Sequence, residues 1–197
     1  MTTKIIIGLA GPEGVGKSTV ANAIVERMAH MTNFKAVAYK ASFATPLYEA
    51  LSTMFNVSIE HIREHKDELF TIKTAPVPCL FGFSFRYLLQ RLGTEFGRAQ
   101  ISPNFWAQMA IKREDKVWAG KVNLIVFDDV RFAEEANQCD KVYELFREGI
   151  TYAKNHPSNA GLPGDINRMI IHLNQSPVEA AQQIIRNVID RMNVAVG

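Results

Sequence analysis

The sequence predicts an α/β fold, a three-layer sandwich in which helices cover both faces of an approximately five-stranded parallel sheet. Short apolar segments alternate with longer amphipathic ones, which favours parallel strands joined by helical crossovers. The segment Val122–Phe127 is nearly all apolar, as in strands buried on both faces. A glycine-rich segment directly follows the first apolar run, at Gly11–Ser18. At 197 residues, the chain fits one domain with an insertion.

The first half of the chain contains two predicted strands and most of the predicted helices. Ile5–Leu9 is the first strand, and the apolar and aromatic segment Phe34–Tyr39 is the second. The segment Thr71–Gly82 contains two prolines and is predicted to be a loop. Apolar periodicity predicts helices over Val20–Met31, Leu47–Phe55, Ser58–Phe70, Phe85–Phe96 and Pro103–Trp118.

Residues 46–119 lack a strand pattern and lie between the second and third strands. We interpret them as a helical insertion. Ligands of parallel α/β sheets bind at the carboxyl ends of the strands. The insertion is therefore expected to lie over that edge and to bind a second substrate.

The last third of the chain resumes the strand pattern. After a short helix at Phe132–Cys139, two further strands are predicted at Val142–Phe146 and Arg168–Leu173. Residues 148–165 between them are rich in Gly and Pro and predict a long loop, which is a candidate lid. Ser176 and Pro177 are typical of a helix start, here for the terminal helix Val178–Met192.

The segment Gly11–Ser18 matches the P-loop pattern G-x-x-x-x-G-K-[ST] between a strand and a helix. Its glycines let backbone N–H groups approach a phosphate at the positive end of the helix. Lys17 supplies charge for the β- and γ-phosphates, and Ser18 supplies a hydroxyl for Mg²⁺. A ligand-free glycine-rich turn is the alternative, but the flanking elements argue against it. The chain is thus expected to bind a nucleoside triphosphate, through Gly11, Glu13, Gly14, Val15, Gly16, Lys17, Ser18 and Thr19.

Two acids directly follow the predicted strand Val122–Phe127. A carboxylate of Asp128 or Asp129 at that place can hold Mg²⁺ directly or through water. Asp is also common in turns, so an acidic turn without a ligand is the alternative. Because side chains alternate along a strand, only one of the two acids should face the P-loop. The pattern leaves open which one.

A second group of polar residues lies in the insertion, in the segment Ser84–Arg98. Arg86 and Gln90 are one helical turn apart, so a guanidinium and an amide share one helix face. Arginine is suited to bidentate binding of a monophosphate. The alternative is a solvated basic face, in which Glu95 is an ion-pair partner for a nearby arginine.

The composition excludes several classes of function. The content of 47% hydrophobic and 21% charged residues is typical of a soluble globular protein, and a net charge of +2 does not indicate a nucleic-acid partner. The two cysteines, Cys79 and Cys139, form neither a disulfide framework nor a zinc motif. No signal peptide or membrane span is evident. We therefore expect a cytoplasmic protein with no nucleic-acid or membrane partner.

Several segments together resemble the bacteriophage deoxynucleoside monophosphate kinase family, from the P-loop to about His156. Besides the P-loop they are LLQRLGTEFGR at Leu88–Arg98, followed by Trp106, DVRFAEEA at Asp129–Ala136, and ASFATPLYEAL at Ala41–Leu51. The helical segment of the family usually begins with a triplet similar to Ser-Pro-Arg, whereas this chain has Ser84-Phe85-Arg86. The arginine is retained.

The resemblance implies transfer of the γ-phosphoryl group of ATP to a deoxynucleoside 5′-monophosphate, in the host cytoplasm if the protein is phage-encoded. It implies that the P-loop holds ATP and Mg²⁺. Asp129, the acid directly before Val130-Arg131, is then placed on the Mg²⁺ side. For Trp106 core packing is the alternative, and for Arg131 a surface position. The resemblance places at the acceptor or the phosphates Lys40, Arg86, Gln90, Glu95, Trp106 and Arg131, with His156 and Ser158 in the candidate lid.

Two other functions are weighed against this one. A dephospho-coenzyme-A kinase shares the P-loop and a segment similar to Ala41–Leu51, but not the LGTE-x-GR pattern. A P-loop switch or motor ATPase usually has Asp-Glu at the end of the acidic strand, where this chain has Asp128-Asp129. The sequence leaves open which bases are accepted, whether ribonucleotides are excluded, and whether the chain forms a homodimer.

Overall fold

The computed structural model describes residues 4–31, 37–118, 123–152, 160–173 and 176–194. Five strands form one sheet: β1 Ile5–Ala10, β2 Ala38–Ala41, β3 Leu124–Val130, β4 Lys141–Phe146 and β5 Arg168–His172. The helices are α1 Lys17–Ala29, α2 Thr45–Phe55, α3 Ile59–Glu64, α4 Phe85–Gln90, α5 Phe105–Trp118, α6 Ala133–Ala136 and α7 Pro177–Val194. A π-helical segment, Arg91–Ile101, continues α4, and a short 3₁₀ turn spans Pro78–Leu80.

The strands are parallel and follow the order β2-β3-β1-β4-β5. The predicted five-stranded parallel sheet is therefore confirmed. β1 is central and all of its residues are buried, which explains why its sequence is a continuous apolar run. Because the strands are parallel, the loops after β1, β3 and β4 emerge at the same edge.

The described chain divides into two compact units. The sheet unit consists of Met1–Phe43 with Glu114–Gly197, and the helical unit consists of Ala44–Arg113. None of the described helices combines the length and apolar character needed to cross a bilayer.

The core of the sheet unit is built on one face from β-strand side chains packed against α1 and α7. Ile7 and Leu9 of β1 are fully buried there with Ile24 of α1 and Ile184 of α7. Burial of each such side chain stabilises the fold by about 1.5–3 kcal/mol. On the other face, the ring of Phe127 stacks on Phe43 at 3.9 Å.

The helical unit has a hydrophobic core of its own. Two of its short helices begin at serine caps, where Ser58 accepts a hydrogen bond from His61 N at 3.0 Å and Ser84 accepts one from Tyr87 N at 3.3 Å. The second cap fixes the start of the helix that carries Arg86. The buried residues of this core are Leu47, Tyr48, Leu51, Ile62, Phe70, Phe85, Leu89 and Trp106.

Several predicted boundaries were wrong. α1 begins at Lys17 rather than Val20, because Gly16 adopts a left-handed conformation and acts as the N-cap. The acidic strand continues to Val130, so Asp128 and Asp129 lie within β3 and not after it. The second strand is Ala38–Ala41, which places Lys40 inside a strand; residues 32–36, where the prediction began, lie outside the described chain.

Three helix boundaries in the helical unit also differ. The helix predicted over Ser58–Phe70 ends at Glu64. The helix α2 begins at Thr45 rather than Leu47, with Ala44 as its N-cap and Pro46 in its first turn. The helix predicted to close at Gly97 continues in π-helical form to Ile101.

Candidate functional site

The P-loop has backbone angles that require glycine. Gly11, Gly14 and Gly16 have φ of 134°, 78° and 108°, a region that side chains rarely tolerate. A Cβ at Gly11 would lie 2.7 Å from the carbonyl oxygen of Leu145. Val15 is fully buried and anchors the loop in the sheet unit.

Lys17 lies in the first turn of α1 and folds back over the loop. Its Nζ donates hydrogen bonds to the carbonyl oxygens of Gly11 at 2.7 Å and Pro12 at 2.8 Å. Burial and then the positive charge of Arg131 lower the pKa of Lys17 to about 8, against the raising effect of nearby carboxylates. An anion bound here would favour the charged lysine.

A cavity of about 170 Å³ opens beside the P-loop. One wall is formed by Gly11, Pro12, Glu13 and Lys17, and another by Val130 and Arg131 at the end of β3. Pockets for whole small-molecule ligands are about 300–1,000 Å³. This cavity therefore suits part of a nucleotide, such as its phosphate groups. The structure brings together the predicted P-loop residues and the predicted Arg131.

The rest of the cavity wall comes from the two ends of the segment between β4 and β5. Thr151, Tyr152, Gly161 and Leu162 line it. The ring of Tyr152 packs on Gly161, where a Cβ would lie 3.1 Å from the ring. These wall residues were missed in the sequence, where they fall in the Gly- and Pro-rich loop without a recognisable motif.

A partly buried ion pair fixes this wall to the sheet. The Tyr152 hydroxyl donates to Glu144 Oε1 at 2.6 Å, and Arg168 pairs with the other carboxylate oxygen of Glu144. Arg168 also donates to the Pro163 carbonyl at 2.6 Å. Burial and the bond to Glu144 raise the pKa of Tyr152, so its hydroxyl stays protonated. Of the candidate lid, these ends are described; His156 and Ser158 lie outside the described residues.

The two acids of β3 have different surroundings. Asp129 accepts a hydrogen bond from Phe43 N at 2.8 Å on Oδ1 and one from the Ser42 hydroxyl at 2.6 Å on Oδ2. Asp128 has a carboxylate oxygen 3.8 Å from Lys40 Nζ. Of the two acids, Asp128 has the larger raising effect on the pKa of Lys17. Asp129 thus holds the chain after β2, and Asp128 acts more strongly on the P-loop lysine.

The residues present fit a Mg²⁺ ion that is shared with phosphates. Among the described residues, no group of three or more His, Cys, Asp or Glu side chains could hold a metal. Mg²⁺ is commonly held by one or two protein ligands together with substrate phosphates and water. Ser18, exposed in the first turn of α1, and one acid of β3 are enough for such a site.

The predicted acceptor residues lie in the helical unit, with the exception of Lys40 and Arg131. Arg86, half-buried in α4, pairs with Asp67, to which its Nη2 donates at 2.9 Å. This arginine lowers the pKa of the Asp67 carboxyl. Gln90 lies one turn further along α4, also half-buried. The two side chains share a face, as predicted.

Glu95 and Trp106 have partners within the helical unit. Glu95 is exposed and forms an ion pair with Arg91 one turn earlier, as the alternative for this residue predicts. Trp106 is 5% exposed, and its Nε1 donates to the Leu92 carbonyl oxygen at 3.3 Å. Its burial favours core packing over stacking on a nucleotide.

Comparisons with known proteins agree with the resemblance seen in the sequence. No family model matches the chain. A protein of Acanthamoeba polyphaga mimivirus named "Putative deoxynucleotide monophosphate kinase" is 27% identical and is matched over 94% of this chain and 96% of its own length. The deoxynucleoside-5′-monophosphate kinase of Escherichia phage T5 is 23% identical over 81% of this chain and 85% of its own. The predicted resemblance is confirmed by these two viral kinases.

One solved structure is similar at a lower level. An unliganded sugar kinase from Janibacter sp. HTCC2649 is 12% identical, covers 93% of both chains and has a TM-score of 0.45. The assignment of the fold rests instead on the strand order and on the P-loop geometry.

Proposed function

We propose that this protein transfers the γ-phosphoryl group of ATP to a deoxynucleoside 5′-monophosphate, giving the diphosphate and ADP. The observation that carries this proposal is that the P-loop lysine Lys17 and the guanidinium-bearing Arg131 line one cavity. The similarity to two viral proteins named as deoxynucleotide kinases, over most of the chain, supports the choice of acceptor.

The donor is held by the P-loop and by the start of α1. Backbone N–H groups from Gly11 to Thr19 bind the phosphates, at the positive end of the helix. Lys17 exchanges its bonds to the loop carbonyls for bonds to the β- and γ-phosphates. Arg131 neutralises charge that develops on the transferred group.

Mg²⁺ is held on this proposal by Ser18 and by Asp128. This assignment replaces Asp129, which the sequence motif favoured. Both carboxylate oxygens of Asp129 already accept hydrogen bonds that hold Ser42 and Phe43. When bound, the ion would supply positive charge to the phosphates.

The acceptor monophosphate is bound by Arg86, with Gln90 on the same helix face. Binding requires Arg86 to exchange its bond with Asp67 for the phosphate. Lys40 adds positive charge at the end of β2. Glu95 pairs with the exposed Arg91 and Trp106 supports the core around α4, so neither is assigned a contact with the acceptor.

The chemistry needs positioning and charge neutralisation more than it needs a base. A monophosphate oxygen attacks the γ-phosphorus, and the bond to the β,γ-bridging oxygen breaks as ADP leaves. Holding the two reactants in line lowers the barrier. On this proposal the candidate lid excludes water from the cavity, whose wall includes its described residues Tyr152 and Gly161.

The test is a coupled ADP-release assay with ATP, Mg²⁺ and a panel of deoxynucleoside and nucleoside monophosphates, with dephospho-coenzyme A as a further acceptor. We expect at least one deoxynucleoside monophosphate to stimulate ADP release, and Lys17→Ala to reduce turnover on the order of a thousandfold. Stimulation by dephospho-coenzyme A alone, or by DNA or RNA alone, would overturn the proposal.

The acceptor site is tested with a pair of variants from one segment. Arg86→Ala should raise the KM for the monophosphate about tenfold or more and leave the KM for ATP nearly unchanged. Arg91→Ala removes an exposed guanidinium that pairs with Glu95 and serves as the control. An effect of Arg86→Ala on ATP alone would contradict the assignment.

A further inference from the structure

Arg147 lies at the carboxyl end of β4 and is not part of any motif in the sequence. Its carbonyl oxygen accepts a hydrogen bond from Ile150 N at 3.2 Å, and Gly149 between them has φ of 79°. These features define a tight turn with glycine at its third position. The neighbouring residue Phe146 accepts a hydrogen bond from Leu173 N at 2.8 Å. The backbone that carries Arg147 is therefore fixed between the ends of β4 and β5.

The guanidinium of Arg147 reaches the P-loop. Its Nη2 lies 3.7 Å from the position that a Cβ on Gly16 would occupy. Gly16 is the N-cap of α1, and the N–H groups that follow it have no helical acceptor. A cation next to the positive end of a helix is unfavourable on its own. An anion that binds both the Arg147 guanidinium and the N-terminus of α1 would explain why the two lie together.

No carboxylate neutralises Arg147 among the described residues. The side chain is half-buried and directly follows β4. Four of the other described arginines have carboxylate partners, namely Arg86, Arg91, Arg113 and Arg168. Arg147 and Lys17 both place a positive charge at the P-loop. A ligand with several negative charges would neutralise them.

The sheet order places Arg147 on the other side of the P-loop from Arg131. β3 and β4 flank β1 on opposite sides. Arg131 follows β3 and lines the cavity with Lys17, whereas Arg147 follows β4 and lies against Gly16. A triphosphate bound in the loop would therefore meet one guanidinium from each side.

We propose that Arg147 binds the phosphates of the donor nucleotide that are not transferred, the α- and β-phosphates, while Arg131 acts on the γ-phosphate. This inference rests on the proposed function for the identity of the donor. It assigns to the β4–β5 turn a role in donor binding that no sequence motif indicated.

The experiment measures equilibrium binding of ATP and ADP in the absence of an acceptor. Arg147→Ala should bind both nucleotides with a Kd about tenfold or more above that of the wild-type protein, because it loses a charge-assisted bidentate contact. Arg147→Lys keeps a point charge but loses the bidentate geometry, so its affinity should be intermediate. The Kd should also depend less steeply on salt in the alanine variant.

The matched control is Arg186→Ala, which removes an exposed arginine of α7 and should leave both Kd values within about twofold. The KM for the monophosphate should stay unchanged in Arg147→Ala. Unchanged ATP and ADP affinities, or weaker binding of ATP with normal binding of ADP, would overturn the inference. Folding of each variant is checked by its thermal transition, and Arg147→Lys tests the proposal if the alanine variant does not fold.

These outcomes are separable from failure of the proposed function. If the wild-type protein binds ATP but no monophosphate stimulates ADP release, the kinase proposal fails. The comparison of ATP and ADP binding then still decides the role of Arg147.

Discussion

At the scale of single residues, Lys17 links nucleotide binding to pH. Its pKa is lowered to about 8, first by burial and then by Arg131. The unfolded chain therefore binds more protons than the folded chain between pH 8 and the ordinary lysine value of 10.5. The empty folded protein becomes relatively more stable as pH rises through this window, because the cost of burying the charge is removed.

A triphosphate reverses this shift, since it favours the charged lysine. We predict that binding of ATP takes up about half a proton at pH 8, and that ATP affinity falls about tenfold per pH unit well above pH 8. The measurement is calorimetric titration in buffers of different ionisation enthalpy. Lys17→Met should bind ATP more weakly and lose this uptake. Equal uptake in the variant would show that another group titrates.

A second prediction distinguishes which of the two acids of β3, Asp128 or Asp129, binds on the Mg²⁺ side. Asp128→Asn should raise the Mg²⁺ concentration needed for half-maximal turnover about tenfold, because it removes a charge proposed to face the ion. In Asp129→Asn, an amide can still accept from Phe43 N and donate to the Ser42 hydroxyl, so the requirement should change less than about threefold. The opposite ranking would restore Asp129 as the metal-side acid.

At the scale of elements, the π-helical segment Arg91–Ile101 and Trp106 depend on each other. A Cβ on Gly97 would lie 1.9 Å from Trp106 Nε1, whereas Gly97 itself leaves room for the buried indole. Trp106 also donates to the Leu92 carbonyl oxygen, which lies at the start of the same segment. The conformation of the π-helical segment and the position of the Trp106 indole therefore depend on each other.

We predict that Gly97→Ala lowers the free energy of unfolding by about 3 kcal/mol, because the methyl group forces the indole out of its place. The measurement is urea denaturation followed by tryptophan fluorescence. Gly93→Ala is the matched control in the same segment. There a Cβ would meet Leu47 at 3.4 Å, an ordinary contact, and the change should stay within about 1 kcal/mol. Equal destabilisation of both variants would refute the packing argument.

The elements show what apolar patterning can and cannot predict. The parallel sheet was predictable because buried strands such as β3 are nearly continuous apolar runs. The π-helical segment was not, because π-helices are rare and apolar periodicity indicates only a 3.6-residue helix or a two-residue strand repeat. Gly97 therefore suggested a helix end, although its lack of a side chain serves the close approach of Trp106.

At the scale of the whole molecule, sequence motifs identified the P-loop but only part of its surroundings. The loop pattern fixes spacing along one chain segment, so Lys17 and Ser18 could be assigned directly. Tyr152 and Arg147 reach the loop through the sheet order, which places β4 beside β1. The adjacency of β4 and β1 is a property of the whole fold, and the spacing of residues within one segment does not reveal it. The same holds for Asp129, whose hydrogen bonds to Ser42 and Phe43 depend on β2 pairing with β3.

The division into two units predicts that each substrate protects a different part of the chain. ATP should slow hydrogen exchange in the P-loop and in Glu144–Tyr152 of the sheet unit, and a deoxynucleoside monophosphate should slow it in α4 of the helical unit. At a ligand concentration of 100 times Kd, binding stabilises the bound state by about 2.7 kcal/mol. Exchange that requires opening of the bound region should therefore slow about a hundredfold.

The variant Arg86→Ala should lose protection by the monophosphate and keep protection by ATP. The reverse pattern, with the monophosphate protecting only the P-loop, would mean that the acceptor lies wholly in the sheet unit. Arg86 would then be a structural partner of Asp67, and the search for the acceptor site would move to Lys40 and Arg131. The exchange experiment thus tests where the acceptor binds, independently of turnover.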